Sequence, residues 1–348
     1  MTMSGSPSQT ARFTKPIQFL FFLALVILFI YWSVKDLSPV DRQQIHTALL
    51  QADYRMLLLG SISLLLGHIL RALRWGLLIE TLGYRPSKVN IFFAVMVGYF
   101  ANQAMPRIGE ILKCSTLTRY ERIPFDKLLG TVILERMIDG AVLLLLLATT
   151  LGMQPGLRHQ ISALMHLNPA NYPETARGYL MAGLLLLGAL IIGLVWLFSR
   201  KPERRWFLRL RQISRSIWMG FSTIRHLRKQ GRFLLYTLLI WLMYGCCVYS
   251  GFRMFSETAG FHIIEVMTIL CAGSIGMILT PGGIGAYAFL VQKTVMLYQV
   301  SAAWGLVLGW LLWLLQTALI ILMGSISLIS LPFYNRRKSS GSRPIHEK

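Results

Sequence analysis

Glu135, Arg136 and Asp139 sit within five residues of one another inside an otherwise apolar run. On a helix, Glu135 and Asp139 share a face at i,i+4, and Arg136 reaches Asp139 at i,i+3. If that helix starts near residue 128, Asp139 lies roughly 16 Å along it, close to the middle of a roughly 30 Å hydrocarbon layer. Ionisable groups at that depth are costly and mark a path for an ion or a polar substrate. A structural ion pair between helices is the plainer alternative.

A second group is Asn102-Gln103-Ala104-Met105-Pro106-Arg107-Ile108-Gly109-Glu110. Pro106 ends a helix and frees carbonyl groups, and Gly109 permits unusual backbone. Arg107 is suited to grip a phosphate with two parallel hydrogen bonds. Glu110 can pair with it or cap the next helix. Asn102 and Gln103 can hydrogen-bond the freed backbone or a headgroup. Further upstream, Arg71 and Arg74 are i,i+3 beside Trp75, where they either hold a lipid phosphate or snorkel to the interface.

The third group is Thr280-Pro281-Gly282-Gly283-Ile284-Gly285. Its amides at the start of the following helix form a weak anion site, and its spacing is neither a Walker nor a dinucleotide fingerprint. Lys293 lies in the run that follows, placed to pair with Glu135 or Asp139 or to snorkel outward. No HExxH, G-x-S-x-G or Cys–His pair is present, and Cys114, Cys246, Cys247 and Cys271 have no metal spacing. These observations argue against an enzyme, a cofactor or a metal centre.

The elements that position these groups are membrane helices. The chain has 348 residues, 55% hydrophobic and 14% charged. The net charge of +21 comes from basic clusters beside apolar runs. Positive-inside topology and anionic headgroups account for them, and nucleic acid is not expected as a partner. Full spans are expected at 17–34, 55–80, 128–151, 178–198, 233–255 and 303–331, with 35–54 a polar connector.

The runs 91–105 and 266–280 are each too short to cross. Each stops at a Pro/Gly break. Keeping the basic residues on one side makes 91–127 a re-entrant hairpin from the cytoplasm and 266–299 one from the exterior. The expected fold is therefore all-α and polytopic, with about six transmembrane helices, two re-entrant hairpins and an inverted repeat. Residues 1–16 read as a cytoplasmic tail, 17–199 as a first half and 233–331 as a second, with 332–348 a basic tail. Between the halves, 200–232 holds eleven Lys/Arg against one acid, Glu203, and reads as a basic amphipathic segment on the inner leaflet.

Broken helices in lipid must be satisfied by protein or a wet cavity, and paired breaks point to a transporter's central site. Arg71-x-x-Arg74-Trp75, Asn102-x-x-x-Pro106-Arg107-x-Gly109-Glu110, Glu135-Arg136-x-x-Asp139 and Pro281-Gly282-Gly283-Ile284-Gly285 occur in that order. The set, over residues 15–331, resembles the lysylphosphatidylglycerol synthase transmembrane family, also called flippase-like or UPF0104. A bacterial inner-membrane protein is expected, and positive-inside bias puts both termini in the cytoplasm. The resemblance implies a lipid translocase acting without ATP on an anionic phospholipid or a polyprenyl phosphate. The alternative is a non-transporting partner that docks a glycosyltransferase or lipid synthase; an intramembrane enzyme using Glu135 and Asp139 is a third reading. Two departures stand out. No soluble aminoacyl-transferase domain is expected here, and Ala286-Tyr287-Ala288-Phe289 stands where members often have a glutamate.

Overall fold

The computed structural model describes residues 9–35, 37–105, 108–154 and 229–341. The expected span at 178–198, residues 200–228 of the segment 200–232, Pro106 and Arg107 lie outside them. Ten α-helices and one 3₁₀ turn form, with no strand among the described residues. That is the expected all-α polytopic membrane protein, since in lipid an open sheet edge has nothing to bond. The helices are α1 (Gln9–Val34), α2 (Pro39–Gln51), α3 (Arg55–Glu80), α4 (Lys88–Ala104), α5 (Ile108–Glu121) and α6 (Phe125–Met153). After the gap come α7 (Gln230–Phe252), α8 (Ile263–Leu279), the 3₁₀ turn Pro281–Gly283, α9 (Ala286–Met296) and α10 (Ala302–Gly341).

Among the described residues, α3, α7 and α10 are long and apolar enough to cross a membrane, and a fourth span results if α1 and α2 count as one bent element. Their outward faces are apolar, as lipid requires: Leu58, Leu59 and Ile62 on α3, and Leu234, Leu238 and Leu242 on α7, are exposed.

The expected connector 35–54 is a helix, α2, over most of its length. Its start is fixed by a capping box: Ser38 Oγ accepts the Asp41 N–H at 3.2 Å, and Asp41 Oδ2 accepts the Ser38 N–H at 2.9 Å. Pro39 at the first helical position adds a preset φ. The chain turns by 101° between α1 and α2, so α2 lies across the ends of other helices. Ala48 and Ala52 join Met254, Phe255 and Trp304 in the core there, the Asp53 N–H donates to the Met254 carbonyl at 3.0 Å, and the Ser301 hydroxyl donates to Gln44 at 2.8 Å.

Two compact units form: Met1–Leu129 with Gly231–Lys348, and Gly130–Gln230. This partition follows packing and cuts across the expected first and second halves. All of α6 beyond Leu129 belongs to the second unit. Within the first, α4 and α5 form one antiparallel hairpin, and α8 and α9 form another.

The hairpins open at opposite ends of the unit. The mouth of α8–α9 lies at the α2 end: the Tyr298 hydroxyl donates to Thr268 at 2.8 Å, and Phe261 stacks edge-on to Tyr298 at 5.4 Å. The mouth of α4–α5 lies at the far end of α10. There Glu121 accepts from the Ser87 N–H and from the Asn90 amide, while Asn90 and Asn335 exchange a reciprocal pair of 2.9 Å bonds. About thirty residues of α10 separate the two mouths, roughly 45 Å of helix.

Helix α10 is the seam common to both hairpins. Gly305 and Gly309, four apart, let it approach the backbone of α9 at Gln292 and Ala288, and Gly324 meets Phe100 of α4. Small residues at such spacing allow the close helix contact on which packing in lipid depends.

Candidate functional site

The first break is closed by Asn102. Its Oδ1 accepts the Gly109 N–H at 2.8 Å, satisfying a donor exposed at the start of α5. Gly98 and Gly109 bring the two backbones into contact, and a Cβ on Gly109 would run into the Gly98 carbonyl oxygen. Glu110 is half-buried just beyond.

The second break uses glycine three times. Gly282 (φ 60°), Gly283 (φ 74°) and Gly285 (φ 74°) occupy the left-handed region, which side chains at most positions resist. Pro281 opens the 3₁₀ turn between Thr280 and Ile284. The freed carbonyls have donors: Thr280 Oγ1 donates to the Ile284 oxygen at 2.9 Å, and the Trp313 indole donates to the Gly282 oxygen at 2.8 Å. Gly283 lies under Met277, whose sulfur a Cβ would meet at 2.5 Å.

The two breaks meet. A Cβ on Gly282 would overlap Gln103 Oε1 and come within 3.1 Å of its Cδ. Hairpins opening at opposite ends therefore touch tip to tip, with Gln103 of the first against Gly282 of the second.

Behind the tips lie buried cations. Arg71, on α3, donates to the Tyr99 hydroxyl at 2.6 Å and sits over the Tyr99 and Tyr244 rings at 5.9 and 6.0 Å. Tyr99 is one helical turn before Gln103 on α4. Arg74, fully buried, donates to Thr237 at 3.3 Å and faces the Phe233 ring at 5.8 Å. Lys113, one turn after Gly109 on α5, is buried with its ammonium 3.9 Å from the centre of the Trp75 ring. Aromatic faces stabilise desolvated cations of this kind.

The remaining sequence candidates divide. Arg71, Arg74, Asn102, Gly109, Glu110, Pro281, Gly282, Gly283 and Gly285 lie at the tips or within the first unit behind them. Lys293 stands two turns along α9, its ammonium 5.8 Å from the Phe289 ring, and so lies away from the tip contact. Glu135 is buried, Asp139 half-buried and Arg136 exposed on the part of α6 that belongs to the second unit. The positions after the second break are packed. Ala286 and Ala288 are fully buried, Tyr287 fills the space left by Gly273 and Gly276, and Phe289 contacts Phe29 and Trp32 at 5.6 and 5.9 Å. A carboxylate on that face would be buried among apolar groups.

His68, Tyr99, Lys113 and Trp313 were not singled out by the sequence. Lys113 could have been found from its i,i+4 spacing to Gly109; the others are brought in by contacts distant in the chain. Among the described residues no group of three or more His, Cys, Asp or Glu side chains could hold a metal, and none of the four cysteines forms a disulfide.

The model of a family described as the lysylphosphatidylglycerol synthase TM region matches residues 19–333. A UPF0104 membrane protein of Methanothermobacter thermautotrophicus is 28% identical over 263 residues, covering 70% of this chain and 75% of that protein. A UPF0104 membrane protein of Methanocaldococcus jannaschii is 29% identical over 131 residues, 37% of this chain, and the match spans only 36% of that relative's length. No solved structure matches.

Proposed function

Since the chain belongs to the lysylphosphatidylglycerol synthase transmembrane family, we propose that it is a lipid translocase moving a phospholipid or polyprenyl-phosphate lipid between leaflets without ATP. The observation that supports this most is the tip-to-tip contact of two broken hairpins at Gln103 and Gly282. The arms of these hairpins have 17, 14, 17 and 11 residues, and even 17 residues reach only about 25 Å, short of the hydrocarbon thickness. Two dead-end elements meeting from opposite leaflets leave one joint between the aqueous sides. A headgroup that passes this joint crosses the membrane while its acyl tails stay in lipid.

The buried cations give the headgroup its chemistry. Arg71, Arg74 and Lys113 are buried behind the joint within the first unit, and Arg107 stands between α4 and α5 in the sequence. Together they favour a phosphate. Glu110, in the same unit, balances that charge or meets a cationic headgroup. This reading makes the protein a carrier and not an enzyme. It resides in a bacterial inner membrane with the α4–α5 mouth and the basic α10 end in the cytoplasm, where positive-inside bias puts Arg336, Arg337 and Lys338.

The test is scrambling in proteoliposomes that carry fluorescent lipid analogues, read by dithionite bleaching. In protein-free vesicles only the outer-leaflet probe bleaches; with protein, bleaching should run nearly to completion for an anionic or polyprenyl lipid. Arg71→Ala and Asp139→Asn should slow it. No movement of any such lipid would remove the carrier reading and favour a docking role for a glycosyltransferase or lipid synthase.

A further inference from the structure

Next to Arg71 lies a buried histidine with no hydrogen bond. His68 is 3% exposed, and neither Nδ1 nor Nε2 has a partner among the described residues. Its ring packs against Tyr99 at 5.2 Å and Tyr244 at 6.4 Å, the same two rings that flank Arg71. A third polar atom nearby is also unsatisfied: the buried indole nitrogen of Trp241, whose ring stands edge-on to Tyr244 at 6.4 Å.

Buried polar atoms in folded proteins are almost always bonded, and each exception asks for an explanation such as a water or a ligand. The wanted group can be specified. A neutral imidazole offers one N–H donor and one bare acceptor nitrogen. An indole offers a donor only. Only a group that both accepts and donates satisfies His68, and a hydroxyl or a water does both. A phosphate or carboxylate oxygen would meet the donors and leave the acceptor bare. The cluster also lies one turn from the tip joint, since Tyr99 and Gln103 share a face of α4.

We propose that His68 forms a hydroxyl-binding subsite beside the Arg71 anion position, so that the preferred lipid carries a hydroxyl on its headgroup in addition to its phosphate. This rests on the carrier reading for its meaning in transport, though the binding it describes can be measured without transport. The competing occupant is a fixed water with no role in recognition.

The protein in detergent is titrated with dihexanoyl phosphatidylglycerol and with dihexanoyl phosphatidylethanol, both monoanionic phosphodiesters, of which only the first carries headgroup hydroxyls, and thermal unfolding is followed. The wild type should bind the glycerol lipid about three- to tenfold more tightly, the worth of a typical hydrogen bond. His68→Phe keeps the packing and removes both nitrogens; it should erase that preference and leave phosphatidylethanol affinity unchanged. His68→Gln, which keeps a donor and an acceptor, should restore part of it. Equal affinities in the wild type, or a preference that survives His68→Phe, would assign the site to a water and overturn the proposal. Scrambling of the same two headgroups, run in parallel on longer chains, separates the failures. Selective binding without movement sinks the carrier reading alone, and movement without selective binding sinks only the subsite.

Discussion

Gly282→Ala probes the joint between the hairpins more directly than any other single change. Two costs combine. The residue sits at φ 60°, where an L side chain costs about 1–2 kcal/mol relative to glycine. The new methyl would also overlap Gln103 Oε1, and Trp313, held to the Gly282 carbonyl at 2.8 Å, limits how far the turn can retreat. Forcing a methyl into a packed site typically costs about 1–3 kcal/mol. The sum is roughly 2–5 kcal/mol, a large part of the 5–15 kcal/mol that holds a typical domain together.

Gln103→Ala separates the two. It removes the amide that collides but leaves the backbone strain, so the double variant should recover the steric share and retain a deficit of about 1–2 kcal/mol. Thermal unfolding in detergent for wild type, both single variants and the double variant closes the cycle. Strict additivity of the two changes would mean that Gln103 and Gly282 do not touch. The tip-to-tip geometry would then be wrong, along with the function built on it.

Three further expectations concern the same region. Asn102→Ala should cost about 1 kcal/mol by stripping the Gly109 N–H of its acceptor, while Asn102→Asp should largely preserve stability; thermal unfolding compares them. Tyr99→Phe removes only the hydroxyl that Arg71 donates to, so it should weaken binding of a phospholipid by about three- to tenfold and leave the fold intact, as measured by titration against unfolding temperature. Lys293→Gln should leave scrambling unchanged, because its ammonium lies beside Phe289 and away from the joint. A large loss of transport in that variant would move the lipid path along α9.

Both breaks were legible because Pro and Gly punctuate apolar runs, and the chain's own chemistry dictates that such runs stop there. α3 begins and ends where hydropathy puts it, at Arg55 and Glu80. The opposed mouths followed from charge bookkeeping and agree with the bonds at Glu121 and at Tyr298. What could not be read was contact between distant segments. Nothing local in Gln103 announces Gly282, and nothing near His68 announces Tyr99 or Tyr244. The connector 35–54 looked polar because its charges dominate its composition. The Ser38-Pro39-x-Asp41 start signal was there, but α2 is held by tertiary packing of Ala48 and Ala52 that no periodicity reveals. Nothing local to Lys113 announces Trp75, the aromatic ring against which its buried ammonium packs.

Because α10 is bonded to Asn90 at the mouth of one hairpin through Asn335, packed on the other through Gly305 and Gly309, and bonded to the second tip at Trp313, the two hairpins hang from a single strut. A tilt of that strut cannot be felt by one hairpin alone. Bilayers of different thickness tilt long helices to match their apolar length. Membrane thickness therefore acts on both hairpins at once, and under the proposed function a transported lipid would belong to the same medium that sets the tension on the protein.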